Sequence, residues 1–178
     1  MALTATIYNF DIDLSDSDRG VYETVALRVA QHPSESAEYL IARVLAYLLE
    51  YTEGIEFSRG VSEREEPMIS VRDPTGKTTS WIEIGTPDSA RLHKASKSGA
   101  RVAVYCHKEG AQWLKGLAAA GIHRADALEL YAIDRTLIAQ LVSRLDRRMA
   151  FGVSINDREL YVSIGDVNLT GRVERLTI

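Results

Sequence analysis

The first thirty residues of the chain alternate apolar and polar side chains. In residues 3–14 apolar side chains recur at every second position, first at 3, 5 and 7 and then at 10, 12 and 14, and the same period of two returns in residues 21–30. This period is typical of strands that have one buried face. A polar turn cluster lies between the two stretches, at residues 15–20. We therefore expect a long antiparallel hairpin at the start of the chain.

The next segment changes to the spacing of a helix. Proline and serine residues suit its first positions, and Glu35 and Glu38 complement the N-terminal end of the helix dipole. A wide apolar stripe follows, made of Leu40, Ile41, Val44, Leu45, Leu48 and Leu49. The pattern predicts a helix from His32 to about Tyr51.

The middle of the chain alternates short strands with helices. The predicted elements are, in order, strands at residues 55–58, 68–72 and 79–85, a helix at 87–98 and a strand at 101–106. A tight turn at residues 73–76 makes the second and third of these strands antiparallel. The strand at 101–106 follows a helix, and this connection is typical of a parallel crossover.

The last third of the chain is predicted to end in an antiparallel meander. The elements expected there are helices at residues 111–120 and 135–148 and strands at 128–133, 149–155, 160–164 and 167–173. No linker, repeat or low-complexity segment interrupts the pattern. We therefore expect one α/β domain that spans residues 1–178, with an N-terminal hairpin and a C-terminal meander as antiparallel additions.

One acidic residue interrupts an otherwise apolar strand. Glu83 stands in the segment Trp81-Ile82-Glu83-Ile84-Gly85, which is predicted to cross the interior of a sheet. An ionised carboxylate in such a place is unfavourable unless a cation or several hydrogen-bond donors meet it. A second acid, Glu66, begins the preceding strand, and a basic helix that contains Arg91, His93, Lys94 and Lys97 follows.

These residues suggest a divalent-metal site for phosphodiester chemistry. Two carboxylates that converge at one end of a sheet can hold Mg²⁺ or Mn²⁺ through oxygen. The metal would activate water and neutralise charge on the phosphate, and a lysine such as Lys94 would steady the phosphate. Glu83 and Glu66 are the expected metal ligands, and Glu35 or Glu38 could add a third carboxylate.

Composition narrows the function classes. The net charge of −4 excludes a uniformly basic nucleic-acid-binding surface, so any binding of nucleic acid would need a local basic patch. The single cysteine, Cys106, excludes a disulfide framework and fits a reducing compartment. The N-terminus lacks the pattern of a signal peptide, and no apolar run is long enough to span a bilayer. We expect a cytoplasmic protein.

Several local motifs together resemble the YaeQ family of small bacterial proteins. They are the opening Met1-Ala2-Leu3-Thr4-Ala5-Thr6-Ile7-Tyr8, then His32-Pro33-Ser34-Glu35, Phe57-Ser58-Arg59-Gly60, Glu66-Pro67, and Trp81-Ile82-Glu83-Ile84-Gly85 followed by Pro87-Asp88. The resemblance covers essentially the whole chain. It implies a PD-(D/E)xK nuclease-like fold, with a core of one helix, three strands, a second helix and a strand.

The resemblance implies site residues as well. The nuclease superfamily places acids where this chain has Glu66 and Glu83, and an acid on the first core helix would be Glu38 or Glu35. It places a lysine where this chain has Gly85, so Lys94 on the following helix would have to take that part. Arg59 and Arg91 would hold flanking phosphates. The function expected on this basis is a Mg²⁺- or Mn²⁺-dependent phosphodiesterase that acts on nucleic acid.

Three alternatives stay open at the level of the sequence. Glu83 could instead form a buried ion pair with Arg59 or Arg91, and Gly85 in place of lysine favours a non-catalytic relative. Such a relative would bind nucleic acid or a protein partner as a regulator. The chain could also be a structural interaction module that associates through the edge of its N-terminal hairpin or of its C-terminal meander.

Overall fold

The structure, a computed structural model, describes residues 4–58 and 65–178. Within these residues the fold is mixed α/β, with ten strands and four α-helices. The chain divides into two compact units. The first takes the residues up to 41 and residues 133–174, and the second takes residues 42–132 and 175–178.

The first unit is a five-stranded sheet in the order β2-β1-β8-β9-β10. Its elements are β1 Thr6–Asp16, β2 Val21–Gln31, α4 Arg135–Val142, β8 Arg148–Asn156, β9 Glu159–Ile164 and β10 Val167–Leu176, of which the last two residues fall in the second unit. The predicted N-terminal hairpin is confirmed by the antiparallel pairing of β1 with β2. The predicted meander is confirmed by the antiparallel pairings of β8 with β9 and of β9 with β10.

The alternating pattern of β1 gives the first unit its core. Phe10, Ile12 and Leu14 are buried on one face of β1, while the residues between them are exposed. β1 also pairs with β8 in parallel, over the register from Asn9 with Arg148 to Asp16 with Ile155. This pairing joins segments far apart in the chain, and nothing in the local pattern predicted it.

The second unit is a five-stranded sheet in the order β7-β6-β5-β4-β3. The elements are α1 Ala37–Leu49, which enters from the first unit, β3 Ile55–Phe57, β4 Ile69–Arg72, β5 Thr78–Ile84, α2 Ser89–Lys97, β6 Arg101–Cys106, α3 Ala111–Ala120, a 3₁₀ turn Ala125–Ala127 and β7 Glu129–Ile133. The first three strands pair antiparallel, and β5, β6 and β7 run parallel. The predicted parallel crossover is therefore confirmed.

Two predicted helix boundaries are wrong. Residues 32–35 form a turn in which the Glu35 N–H donates to the His32 carbonyl at 2.9 Å, and α1 begins only at Ala37. The Ser36 hydroxyl accepts from the Tyr39 N–H at 3.1 Å and so caps the helix. At the other boundary, α4 ends at Val142 rather than near 148.

Long-range packing explains the short α4. Gly171 of β10 lies so close to α4 that a Cβ atom on it would stand 2.7 Å from Leu137 Cβ. Leu137, Ile138 and Leu141 are buried, and no buried residue follows until Met149 of β8. The apolar stripe of the helix therefore ends after about two turns, and the chain continues into the next strand of the sheet.

In the described part of the chain, no helix combines the length and apolar character that a membrane crossing requires. Cys106 is buried at the end of β6, as its apolar surroundings predicted. That one domain covers residues 1–178 stays a prediction.

Candidate functional site

Glu83 lies near the carboxyl end of β5 and is buried, as the sequence predicted. It is 2% exposed, and it shares one face of the strand with Trp81, two residues earlier. The Trp81 ring belongs to an apolar cluster with Leu92 of α2 and Val104 of β6. Its Nε1–H donates to Glu83 Oε1 at 2.7 Å. Trp81 is thus a packing residue that also supplies one of the donors which a buried carboxylate needs.

Arg91 supplies the cation. Its Nη2 atom lies 2.8 Å from Glu83 Oε1, and the Arg91 side chain is 20% exposed whereas the Glu83 side chain is 3% exposed. The same Nη2 donates to the backbone carbonyl of Glu66 at 2.7 Å. The buried ion pair of Glu83 with Arg91, one of the alternatives raised by the sequence, is therefore the arrangement found.

Helix α2 places Arg91 toward β5. Asp88 caps the helix by accepting the Arg91 N–H at 2.8 Å, in the manner favoured for aspartate at this position. Leu92 and Ala95 are buried and hold the helix against the sheet. Arg91 is next to these buried residues on the helix. Its backbone is therefore held in place, and its side chain extends to Glu83 in β5.

The other members of the predicted site are arranged differently. Lys94 forms an ion pair with Glu65, one residue before the predicted ligand Glu66. A hydrogen bond from Lys94 holds the pKa of the exposed Glu65 carboxyl below its ordinary value. Glu66 joins the group through its backbone carbonyl. The second acid of the predicted metal pair therefore contributes a main-chain oxygen in the contact that the structure shows.

Burial raises the pKa of the Glu83 carboxyl above its ordinary value. The hydrogen bonds from Arg91 and Trp81 and the charge of Arg91 oppose this rise without cancelling it. Arg91 and Trp81 therefore offset only part of the hydration free energy that the Glu83 carboxylate loses on burial.

Gly85 closes the strand in a conformation that disfavours the lysine which the nuclease pattern would place there. Its φ is +90°, in the region that favours glycine, and its N–H donates to the Tyr105 carbonyl at 2.9 Å. A residue with a Cβ atom would be strained at this point. The departure at Gly85 is therefore built into the backbone directly after β5.

The residues around Glu83 do not fit a divalent metal ion. Within residues 4–58 and 65–178, no group of three or more histidine, cysteine, aspartate or glutamate side chains is placed to hold one. Glu83 Oε1 already receives Arg91 and Trp81, and a guanidinium so close would repel a second cation. A carboxylate held this way serves as an ion-pair partner.

Glu38 and Glu35, the acids expected on or near the first core helix, have local roles. Glu38 is exposed in the first turn of α1, where it complements the helix dipole. Glu35 precedes the helix, and its carboxylate accepts the His32 N–H at 3.3 Å. Arg59 lies outside the described residues.

The sequence analysis missed a second buried polar group, also in the second unit. Glu50 directly follows α1 and is 8% exposed. It receives Arg101 in a bidentate pair, at 2.7 and 3.0 Å, and the Tyr105 hydroxyl at 2.6 Å. Arg101 also bonds Glu129, which accepts the Tyr131 hydroxyl at 2.9 Å. Two carboxylates therefore share one arginine.

This polar network is completed by aromatic stacking. The Tyr105 and Tyr131 rings are stacked with centroids 5.0 Å apart, and the Arg175 guanidinium lies 5.2 Å from the Tyr131 centroid. Burial raises the pKa of Tyr105, and the negative charge of Glu50 raises it further. The phenol therefore stays protonated and acts as a donor to Glu50.

A sequence signal for the network exists. Arg101 and Tyr105 lie four residues apart, and so on the same face, in a strand that the sequence predicts to be apolar. Glu129 and Tyr131 lie two residues apart on one face of the next strand. In the parallel register Tyr105 pairs with Tyr131. Polar residues with a period of two in apolar strands indicate a shared polar face. The position of Glu50, after a helix, had no such signal.

Comparisons with known proteins show which family the chain is similar to. A model of the YaeQ family, described as YaeQ protein, matches residues 1–173. YaeQ proteins of Salmonella typhi and Escherichia coli, both named as uncharacterized, are 33% and 32% identical to the chain over 171 residues, which cover 95% of it and 94% of each relative.

Two crystal structures are similar to the whole chain. The YaeQ protein of Xanthomonas axonopodis pv. citri has a TM-score of 0.88 at 34% identity, covering 98% of this chain and 99% of its own. The YaeQ protein of Pseudomonas syringae has a TM-score of 0.89 at 28% identity, covering 98% of this chain and 97% of its own.

Proposed function

This chain belongs to the YaeQ family, and we propose that it is a non-catalytic binding protein with a nuclease-like core. The core would be formed by α1, β3, β4, β5, α2 and β6, which follow one another along the chain in the order expected for such a core. The antiparallel pairing of β3, β4 and β5 and the parallel pairing of β5 with β6 support this proposal.

The ion pair of Arg91 with Glu83 is the observation that carries the non-catalytic assignment. The guanidinium nitrogen stands 2.8 Å from the carboxylate that a nuclease of this kind would give to its metal. Lys94, the expected phosphate contact, is paired with Glu65. Arg91 and Lys94, two of the cations expected to contact phosphate, therefore each have an acid of this chain as a partner.

The partner that we propose is a protein, which this chain would bind as a regulator. The net charge is −4, and pairing with Glu83 and Glu65 neutralises two of the three cations of α2. A surface that binds nucleic acid needs several lysines and arginines available to phosphates. The charge distribution therefore favours a protein partner over nucleic acid.

A cleavage assay tests the non-catalytic assignment. Single- and double-stranded DNA and RNA would be incubated with the protein in Mg²⁺, in Mn²⁺ and in a chelator. We expect the same intact substrate in all three conditions. Metal-dependent phosphodiester hydrolysis stays a prediction from the sequence. Cleavage that needs the metal and is lost in Glu83→Gln would establish it and overturn our proposal.

Fluorescence anisotropy tests the choice of partner. Labelled single- and double-stranded oligonucleotides would be titrated with the protein at low salt, where phosphate contacts are strongest. We expect no saturable binding. Saturable binding that weakens as salt rises, and that weakens further in Lys97→Ala, would replace the protein partner with nucleic acid.

A further inference from the structure

We propose that the outer edge of β2 is a self-association surface, where a second copy of this chain pairs strand to strand, antiparallel, across a two-fold axis. β2 stands at one end of the strand order, and no described strand pairs with the side that faces away from β1. In a paired strand, alternate residues direct their backbone N–H and C=O groups to that outer side. The edge therefore presents backbone donors and acceptors along Val21–Gln31.

β2 lacks the features that usually keep an edge strand from pairing with another chain. Edge strands are commonly short or bulged, or they carry proline or lysine. β2 is 11 residues long, contains neither proline nor lysine, and pairs with β1 in a register that does not shift. By contrast β3, the edge strand of the second unit, has 3 residues. β2 is therefore the edge better suited to receive another strand.

One register pairs β2 with its own copy along the whole strand. A two-fold axis normal to the sheet keeps the buried faces of both copies on one side, so paired residues must share a sheet face. An axis through Ala26 meets this condition and pairs Val21 with Gln31 of the second copy. The buried Val25 then faces the buried Leu27 of the second copy, and the exposed Ala26 faces its own equivalent. Small and apolar side chains therefore meet at the centre of the interface.

Charges on the exposed face are complementary in this register. Arg28 of the second copy would lie opposite Thr24, which pairs with Asp13 of β1 and donates its hydroxyl to the Asp13 carboxylate at 3.3 Å. Asp13 and that arginine are two strand spacings apart, about 10 Å between backbones, a span that their side chains can bridge. Among the residues that the structure describes, Arg28 forms no ion pair within its own chain. The second copy would supply its acidic partner.

The same register avoids repulsion between like charges, which favours a second copy as the occupant. Glu23 and Arg28 are the charged residues of β2, and neither faces its own equivalent when the axis passes through Ala26. An axis through Arg28 would instead place two arginines opposite each other, which is destabilising. The strand is therefore self-complementary in the register that also pairs its full length.

Sedimentation velocity of the full chain over a range of protein concentrations tests this proposal. We expect the wild-type protein to dimerise and Ala26→Lys to weaken the dimer at least about fivefold, because two lysines would face each other at the axis. Within one copy the new lysine lies opposite Asp11 on an exposed face, so the monomer should fold normally. A wild-type protein that stays monomeric over the whole range would overturn the proposal.

Ala150→Lys is the matched control. Ala150 of β8 is exposed on the same sheet face, and it also lies opposite Asp11 of β1. The same change is thus made beside the same aspartate, but on the side of β1 that faces away from the edge. This variant should dimerise as the wild type does. Equal weakening by both substitutions, or a dimer that Ala26→Lys leaves intact, would overturn pairing at the β2 edge.

A charge exchange tests the register. Arg28→Asp and Asp13→Arg should each weaken the dimer, since each places like charges across the interface. The double variant restores opposite charges and should regain dimerisation. A double variant as weak as the single ones would contradict the contact of Arg28 with Asp13 and so overturn the register.

Cross-linking gives a readout that does not depend on weakening the dimer. Ala26→Cys would place two thiols face to face at the axis, so a short bismaleimide should join two copies of the chain. Ala150→Cys serves as the control and should stay single, and the native Cys106 is buried. Equal cross-linking of the two variants, or none at Ala26→Cys, would place the contact elsewhere and refute the proposal.

Discussion

Among its described residues the second unit buries two glutamates, Glu83 in β5 and Glu50 after α1, and it stabilises them by different means. Glu83 has one arginine and one indole donor, and burial still raises its pKa. Glu50 has a bidentate arginine and a phenol, and that arginine is shared with a second acid, Glu129. The charge of Glu83 is therefore only partly compensated, whereas Glu50 belongs to a network of several connected hydrogen bonds and ion pairs.

The difference predicts which buried carboxylate contributes more to the stability of the fold and which one tolerates the loss of its partner. A network in which each member has several partners leaves its other members uncompensated when one is removed. A single under-compensated carboxylate can take up a proton when its cation is lost. We therefore expect larger stability losses from the Arg101 network than from the Arg91 pair.

The largest loss is expected from Arg101→Ala. It leaves buried Glu50 and the neighbouring Glu129 without their shared cation, and losing one partner of a buried ion pair costs about 3 kcal/mol or more. Urea unfolding at neutral pH measures the change. The control is Arg175→Ala, whose ion pair with Glu129 has atoms 3.8 Å apart and which should lose less than about 1 kcal/mol. Equal losses in the two variants would contradict the network.

Arg91→Ala should destabilise the protein by about 2 kcal/mol, less than Arg101→Ala does. The Glu83 carboxylate loses its ion pair, yet proton uptake limits the penalty of the buried charge. The same urea experiment measures it, with Lys97→Ala as the control that should stay within about 0.5 kcal/mol of the wild type. A loss greater than that of Arg101→Ala would reverse the proposed order of the two sites.

Gly85→Ala tests the backbone beside Glu83. Because φ is +90° at this residue, we expect a loss of about 1–2 kcal/mol from backbone strain alone. Gly116→Ala is the matched control. Gly116 lies in α3 with open space around its Cβ position, so that variant should gain up to about 1 kcal/mol. A neutral Gly85→Ala would show that a lysine could stand there without strain.

Tyr105→Phe should cost about 1 kcal/mol, since it deletes the 2.6 Å hydrogen bond to Glu50 while Arg101 keeps its own. Tyr22→Phe is its control, because Tyr22 is 65% exposed and should show no measurable change. Thermal or urea unfolding of both variants, measured side by side, gives the comparison. A null effect of Tyr105→Phe would mean that Arg101 alone compensates Glu50.

The pH dependence of stability should have opposite signs at Glu83 and Glu129. The pKa of Glu83 is raised, so its contribution to stability is present below its ordinary pKa and is lost as pH rises through the folded pKa. Burial tends to raise the pKa of Glu129, but hydrogen bonds from Arg101 and Tyr131 lower it overall. Its contribution is therefore present above its ordinary pKa and lost as pH falls through the folded pKa.

Unfolding of the wild type, Glu83→Gln and Glu129→Gln across the acidic to neutral range measures these contributions. The stability difference between wild type and variant should fall with rising pH for Glu83→Gln and rise with it for Glu129→Gln. Lys97→Ala serves as a control whose charge does not titrate in this range. Two differences with the same slope would contradict the contrast between the sites.

The sequence predicted part of the Glu83 site and little of the Glu50 network. Apolar neighbours in a strand indicated that Glu83 is buried, and the need for a cation narrowed its partners to a metal or an arginine such as Arg91. The choice between them depended on the position of α2 against β5, which involves contacts between separate elements. Glu50 follows a helix at a position where exposure is usual, so only the packed strands β6 and β7 reveal its partners.

Local periodicity by itself predicted the order of strands and helices and the hairpin of β1 with β2, although not the start of α1 or the end of α4. Side-chain spacing along the chain fixes which face of an element is apolar. Tertiary structure decided the parallel pairing of β1 with β8, the early end of α4 and the arginine that meets Glu83. Each of these depends on atoms brought together from distant positions in the sequence. A buried charge is predictable from its neighbours in the chain, whereas its partner is chosen by packing.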